Sequence, residues 1–263
     1  MPDKKKSDVG FNRLVRSAWL RDALGLASAG VSNTEFEEKL LPQIARENAG
    51  KETIRKVLAH LRRVWLSPPE YCRGLREQAL GMYHHCPDAH TAFLLNWGMC
   101  IAAYPFIGYV AQAIGRLFRL QGDAQPKLIN QRVRERFGDR HFVHRSVRYN
   151  LSAFFDMGAL QKGIRGVYIP GKVYRLRTEE EAAWLVEALL HSLDEPSLPI
   201  QAIADHAALF PFRFDALGIG QLKINPRLQV MRHGMDACLV SVGDYHPTGD
   251  QGCTQKGTGC GIL

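Results

Sequence analysis

The sequence predicts a mainly α-helical protein with a small amount of β structure toward its C-terminal end. Apolar residues recur at helical spacing through most of the first 160 positions, and the runs end at glycine, proline or capping residues. Short β-branched and aromatic runs, separated by glycine and proline, come later. Positive charge is concentrated: residues 125–177 hold twelve Lys/Arg against three Asp/Glu, a local net charge of +9 in a chain that carries +8.

The N-terminal part is expected to be a small helical domain. Apolar residues at helical spacing predict a first helix from Phe11 to Ala29 and a third from Lys51 to Leu66. Ser32 and Glu35 form a capping box for the helix between them. The prolines at 68 and 69 end this series, and a further helix is expected to reach about Tyr83.

Residues 91–115 contain no charged side chain. This stretch of 25 residues is long enough to span a membrane as a helix. A buried helix pair is the alternative, and Pro105 favours it because proline disfavours the helical conformation in the residue before it. We therefore expect two buried helices that meet at Tyr104, and no membrane partner.

The basic stretch follows the order helix, helix, helix, hairpin. The predicted elements are helices Phe106–Leu120, Pro126–Phe137 and Arg145–Met157, then strands Ala159–Lys162 and Val173–Leu176. This order predicts a winged helix-turn-helix at residues 105–177. An ordinary hairpin that caps a helical core would explain the strands but not their positive charge.

The third helix of this module has two different faces. Its apolar stripe is Val147, Leu151, Phe154 and Phe155, and the opposite stripe holds Arg145, Arg148, Tyr149, Ser152 and Asp156. A helix that exposes arginines from its N-terminal half suits the DNA major groove, while basic strands suit the phosphates. The residues expected to contact DNA are Lys127, Arg145, Arg148, Tyr149, Asn150, Ser152, Lys162, Arg165, Lys172 and Arg175.

Behind this module the sequence predicts a small C-terminal helix and β-hairpin region. Thr178 and Glu181 cap a helix that reaches His191, and two later strands, from Leu228 and from Ala237, form a hairpin. The predicted division is a helical N-terminal domain at 1–104, the winged helix at 105–177, the C-terminal region at 178–245 and a flexible, glycine-rich tail at 246–263.

Catalytic and metal sites are not expected. His84, His85, Cys86 and His90 lie close together, but they supply only half of a structural zinc pattern, and Cys253 with Cys260 makes a poor second half. No nucleophile elbow or His-Glu-x-x-His is present, and the three acidic residues of the basic stretch are isolated, whereas a nuclease needs clustered ones for metal ions. The charged N-terminal residues and scattered cysteines favour a cytoplasmic protein with reduced thiols. We expect no enzyme activity, cofactor or metal.

Several segments resemble the BrxA family, accessory proteins of bacterial BREX phage-exclusion systems. The similarity lies in the order and spacing of hydrophobic and aromatic positions between Asn12 and Leu160, and it rests on Leu94–Trp97, Cys100, Tyr104–Ile107, Arg145–Arg148 and Phe155–Leu160. The resemblance implies a helical N-terminal part, a winged helix that binds DNA without catalysis, and a role in defence against phage.

Two classes of function remain open from the sequence. Non-enzymatic binding of double-stranded DNA, as a phage-defence component or as a transcriptional regulator, explains the concentrated charge. A protein-interaction scaffold is the alternative, and it would show little affinity for DNA at physiological salt. Partners of the first class are double-stranded DNA, other defence-system proteins and a second copy of the chain.

Overall fold

The chain is mainly α-helical, with a few small sheets in its C-terminal part. A computed structural model describes residues 9–47, 50–215, 217–233 and 237–243. The predicted tail at 246–263, with Cys253 and Cys260, lies outside the described residues, as does the turn of the C-terminal hairpin.

The N-terminal helices are α1 (Ser17–Ser28), α2 (Asn33–Glu47), α3 (Lys51–Trp65), α4 (Arg73–His85) and α5 (Ala89–Ala103). The predicted capping residue is in place, because the N–H of Glu35 donates to Ser32 Oγ at 3.2 Å. The predicted start of the first helix was wrong by six residues. Phe11 instead packs against the rings of His60 and Tyr104, and this contact holds the chain before Ser17 outside the helix.

Helix α5 is the centre of the core and is buried on every side from Thr91 onward. Gly98 lets the neighbouring helix approach closely, since an added Cβ would lie 2.4 Å from the ring of Trp184. Asn96 is satisfied within this core by the indole N–H of Trp65, at 2.8 Å. The absence of charge in this stretch therefore reflects burial inside the protein.

Helix α6 (Pro105–Gln121) follows α5 directly, and the two meet at an angle of 114°. The break falls at Tyr104, as the proline predicted. Among the described residues, no single helix is both long and apolar enough to cross a bilayer, although α5 and α6 taken together have the required length and composition.

The basic stretch folds into α7 (Pro126–Phe137), α8 (His141–Asp156), β1 (Leu160–Lys162) and β2 (Tyr168–Pro170). Pro126 begins α7, and Gly158 follows α8 with a φ of +80°. Strands β1 and β2 pair antiparallel, with Gln161 opposite Ile169. A further antiparallel bridge joins Ala124, in the connection between α6 and α7, to Tyr168 of β2.

The remaining elements are β3 (Tyr174–Arg175), α9 (Glu179–Ser192), β4 (Ser197–Pro199), α10 (Ile200–Ala204), β5 (Phe212–Arg213), α11 (Ile219–Leu222), β6 (Leu228–His233) and β7 (Ala237–Val242). Thr178 Oγ1 accepts the N–H of Glu181 at 3.1 Å, so the predicted cap of α9 is confirmed. Strands β6 and β7 pair antiparallel as predicted, and β4 extends their sheet in the order β4-β7-β6.

One hydrophobic cluster runs through all of these regions, from Phe11 to Val240. Helix α9 packs on α5, and α6 packs against the turn at Ala207–Leu209. The contact at Gly115 of α6 is so close that an added Cβ would lie 2.0 Å from the carbonyl oxygen of Ala207. The basic module is therefore joined to the rest of the chain through a shared core.

Candidate nucleic-acid interface

Helix α8 carries most of the residues predicted to contact DNA. It begins at His141, four residues before the predicted start, because Val143 is buried and extends the inner face by one turn. One face of the helix then forms a continuous stripe, exposed except at the half-buried Ser152, which we call the α8 stripe. Its members, spaced three or four residues apart, are His141, Arg145, Arg148, Ser152 and Phe155.

The structure contradicts the prediction that Asn150 faces DNA. Asn150 is fully buried, and its Nδ2 donates to the carbonyl of Ser146 at 2.7 Å and of Phe11 at 3.5 Å. The segment before α1 covers this position, which places Asn150 on the inner face. Tyr149 and Ser152 are half-buried, and the hydroxyl of Ser152 donates to the carbonyl of Arg148 at 3.0 Å.

Phe155 was expected on the apolar stripe but is 43% exposed. The ammonium group of Lys162, on β1, lies 5.5 Å from the centre of its ring. An ammonium group over an aromatic face is attracted by the ring's quadrupole. This contact joins the C-terminal end of the α8 stripe to the hairpin, and no local sequence pattern indicated it.

The hairpin itself differs from the predicted one. Its second strand is β2. The predicted strand Val173–Leu176 exists as β3 (Tyr174–Arg175), but it pairs with β5, so its place in the hairpin was predicted wrongly. Gly171 continues the ladder: its N–H donates to the carbonyl of Ala159 at 2.9 Å, and the N–H of Lys172 donates to that of Gly158 at 3.1 Å. A Cβ at Gly171 would lie 2.1 Å from the carbonyl oxygen of Gly158. The Pro170-Gly171 pair therefore lies within the ladder and does not form the turn.

Arg175 does not belong to the hairpin. It lies on β3, which pairs parallel with β5. Its guanidinium is 3.0 Å from the carboxylate of Asp215, and both side chains are exposed. Lys172 remains beside the hairpin, with its ammonium group 4.8 Å from the centre of the Tyr174 ring. Arg175 therefore has a carboxylate partner, whereas Lys172 has none among the described residues.

Lys127 and Arg165 lie on opposite sides of one open cleft of about 920 Å³. One wall is the N-terminal turn of α7, and the other is the hairpin turn from Gly163 to Val167. Asp123 supplies the one carboxylate that lines this cleft among the described residues. The cleft brings together two predicted cations that are distant in sequence.

Carboxylates neutralise four of the twelve cations of the basic stretch. Arg134 pairs with Asp139, Arg136 with Asp194, Arg175 with Asp215 and Arg177 with Asp88. The pKa of Asp139 is lowered by hydrogen bonds from His144 and Arg134, so this carboxylate stays ionised beside the start of α8. Arginines that already share their charge with a carboxylate are weaker candidates for phosphate contact.

Six of the ten predicted contact residues are exposed cations with no carboxylate partner in the part of the chain that the structure describes. We call them the contact set: Lys127, Arg145, Arg148, Lys162, Arg165 and Lys172. The α8 stripe, the contact of Lys162 with Phe155 and the cleft shared by Lys127 and Arg165 connect five of them into one path.

Within the described residues, no group of three or more His, Cys, Asp or Glu side chains comes together as a metal site. Cys86 instead lies beside Asp88 and Arg177, with the thiol donating to Asp88 at 3.6 Å.

No protein-family model, curated protein sequence or solved structure matches this chain. The geometry of the basic module is therefore the basis for assigning a function.

Proposed function

We propose that this chain is a non-enzymatic protein that binds double-stranded DNA through α6–α8 and the β1–β2 hairpin, which act as a winged helix-turn-helix. The order of the elements supports this proposal. The bridge from Ala124 to Tyr168 supports it further, because both backbone hydrogen bonds, of 2.8 and 3.0 Å, hold the hairpin against the connection between α6 and α7. A hairpin fixed in this way can serve as a wing.

The contact set carries the proposal. Exposed cations without carboxylate partners retain their full attraction for a polyanion, whereas the paired arginines of the same stretch do not. Phosphate contacts by such cations release counterions from DNA and supply most of the non-specific affinity. Solubility alone does not require that such charges be grouped on α7, α8 and the adjoining hairpin.

The α8 stripe is the part that enters the major groove in this proposal. Arg145 and Arg148 are one helical turn apart and can reach base edges or phosphates. Lys162 and Lys172 of the hairpin follow the backbone, and Lys127 reaches a phosphate from the first turn of α7. The free N–H groups of that turn favour an anion at the same place.

The resemblance to BrxA leads us to propose a role as an accessory component of a phage-exclusion system in the bacterial cytoplasm. A transcriptional regulator would use the same DNA surface, and neighbouring genes for a phage-exclusion system would separate the two roles. A separate observation favours a scaffold function. An open groove of about 610 Å³ lies between α2 and α3, and Leu41 in this groove is 44% exposed.

The test is a titration of a fluorescent 25-base-pair duplex with the purified chain, read by anisotropy at several salt concentrations. Arg145→Glu combined with Arg148→Glu should abolish binding at 100 mM salt and leave the thermal melting curve unchanged, since both side chains are exposed. Lys223→Glu with Arg232→Glu makes the same change of net charge on exposed positions of the C-terminal region and should retain binding. Equal binding by the α8 variant and the wild-type chain would overturn the proposal.

A further inference from the structure

The turn of the β1–β2 hairpin exposes an apolar side chain to an unusual degree. Ile164 is 87% exposed, more than any other large hydrophobic residue that the structure describes, and Leu120 follows at 72%. Single exposed apolar residues are common on protein surfaces. The position of Ile164 is less common, because it lies at the tip of a hairpin whose other exposed side chains include Lys162 and Arg165.

The backbone of the turn is held in a conformation that its sequence does not favour. Arg165 has φ of +59° and ψ of +25°, and it is the one residue other than glycine with a positive φ in the described part of the chain. A hydrogen bond of 2.9 Å from the N–H of Gly163 to the carbonyl of Val167 closes the turn. Residues kept in left-handed conformations are concentrated at ligand contacts and switch regions.

The base of the hairpin is anchored on two sides. Its first strand is paired with β2, and β2 is bridged in turn to Ala124 in front of α7. Five residue steps separate Ala159, at the base of β1, from Ile164, and in an extended chain they span at most roughly 16 Å. That length is sufficient to pass one phosphate backbone and enter the neighbouring minor groove, which is about 6 Å wide.

We propose that Ile164 is a wedge that enters between two base pairs from the minor groove and kinks the duplex, with Arg165 beside it in the groove. This inference rests on the proposed function. Proteins that bend DNA from the minor groove insert apolar side chains such as isoleucine between base steps and kink the duplex by about 20–90°. Arginine is attracted to the strongly negative potential of a narrow minor groove. The turn presents these two residue types side by side.

The test compares Ile164→Ala with Ile224→Ala, which removes the same side chain from an exposed position of the C-terminal region, outside the proposed DNA-binding module. A 30-base-pair duplex with a fluorescent donor and acceptor at its ends reports bending by energy transfer. The wild-type chain and the Ile224 variant should shorten the end-to-end distance. The Ile164 variant should not shorten it, and its affinity should be about 15- to 60-fold lower, because the burial of two to three methylene equivalents is lost.

A second DNA substrate distinguishes insertion of Ile164 between base pairs from a surface contact that does not unstack them. A duplex with a central two-nucleotide bulge is already kinked, so the energy of unstacking no longer has to come from the protein. The Ile164 variant should therefore bind the bulged duplex more tightly than the intact duplex. Equal affinity of this variant for the two duplexes would overturn the wedge.

The remaining outcomes distinguish the two proposals. If the wild-type chain binds no duplex, the proposed function fails and the wedge fails with it. If the wild-type chain binds duplex but the Ile164 variant binds and bends equally well, the wedge alone is wrong.

Sedimentation with vesicles of phosphatidylserine and phosphatidylcholine tests whether the hairpin tip binds a membrane instead of DNA. Vesicle binding that depends on Ile164, without bending of DNA, would assign the tip to a membrane and overturn the wedge.

Discussion

Replacing one cation of the contact set at a time should reduce the salt dependence of duplex binding by a fixed step. The logarithm of affinity falls with the logarithm of salt concentration by about 0.9 for each phosphate neutralised. Six contact-set cations therefore predict a slope of about −5, whereas all twelve cations of residues 125–177 would predict about −11. Lys127→Gln should make the slope less steep by about one unit.

The matched control is Arg136→Gln, because the guanidinium of Arg136 is paired with Asp194. Anisotropy titrations of one duplex between 50 and 300 mM KCl give the slope for each variant. Lys127→Gln should change the slope, and Arg136→Gln should leave it at the wild-type value. A wild-type slope near −11, or equal changes in the two variants, would show that the paired arginines reach phosphates and that sorting the cations by their partners is wrong.

Three further predictions concern stability and use urea unfolding as the measurement. Burial lowers the pKa of both His60 and His206 to about 4, below the ordinary value of about 6.5. Each should therefore lower the free energy of unfolding by about 1.4 kcal/mol per pH unit from pH 6.5 toward 4, and His60→Gln should remove the His60 share of that slope. Arg227→Met removes the cation 2.8 Å from the fully buried carboxylate of Glu187, and it should destabilise the fold by about 3–5 kcal/mol at pH 7; wild-type stability would contradict this. Gly115→Ala should cost about 1–3 kcal/mol through overpacking, whereas Gly25→Ala, in a helix with open space around it, should stabilise by up to about 1 kcal/mol.

The helices were predictable because their signals are local. The proline at the start of α7, the glycine after α8 and the threonine cap of α9 all act within one turn of the backbone they control. The strands of the basic module were less predictable, because both Tyr168 and Tyr174 lie in short runs that suit a strand. Close backbone packing at Gly171 decided which run pairs with β1.

The composition of the candidate site was only partly predictable, because long-range partners decide it. Arg136, Arg175 and Arg177 pair with carboxylates that are 58, 40 and 89 residues away in sequence. Asn150 is covered by a segment 139 residues earlier in the chain. Charge and periodicity identified the basic module, but they carry no information about which of its cations a distant carboxylate neutralises.

Contacts at the end of α8 connect the proposed DNA surface to the N-terminal helices. Asp156 accepts the N–H of Ser17 at 2.6 Å and a hydrogen bond from Arg16 at 3.1 Å, and Arg16 also pairs with Glu47 of α2 at 2.8 Å. A carboxylate at the first N–H of α1 is stabilised by the helix dipole. A duplex on the α8 stripe would therefore hold the groove between α2 and α3 in one orientation. If the proposed DNA binding holds, a protein bound in that groove would be positioned relative to the duplex.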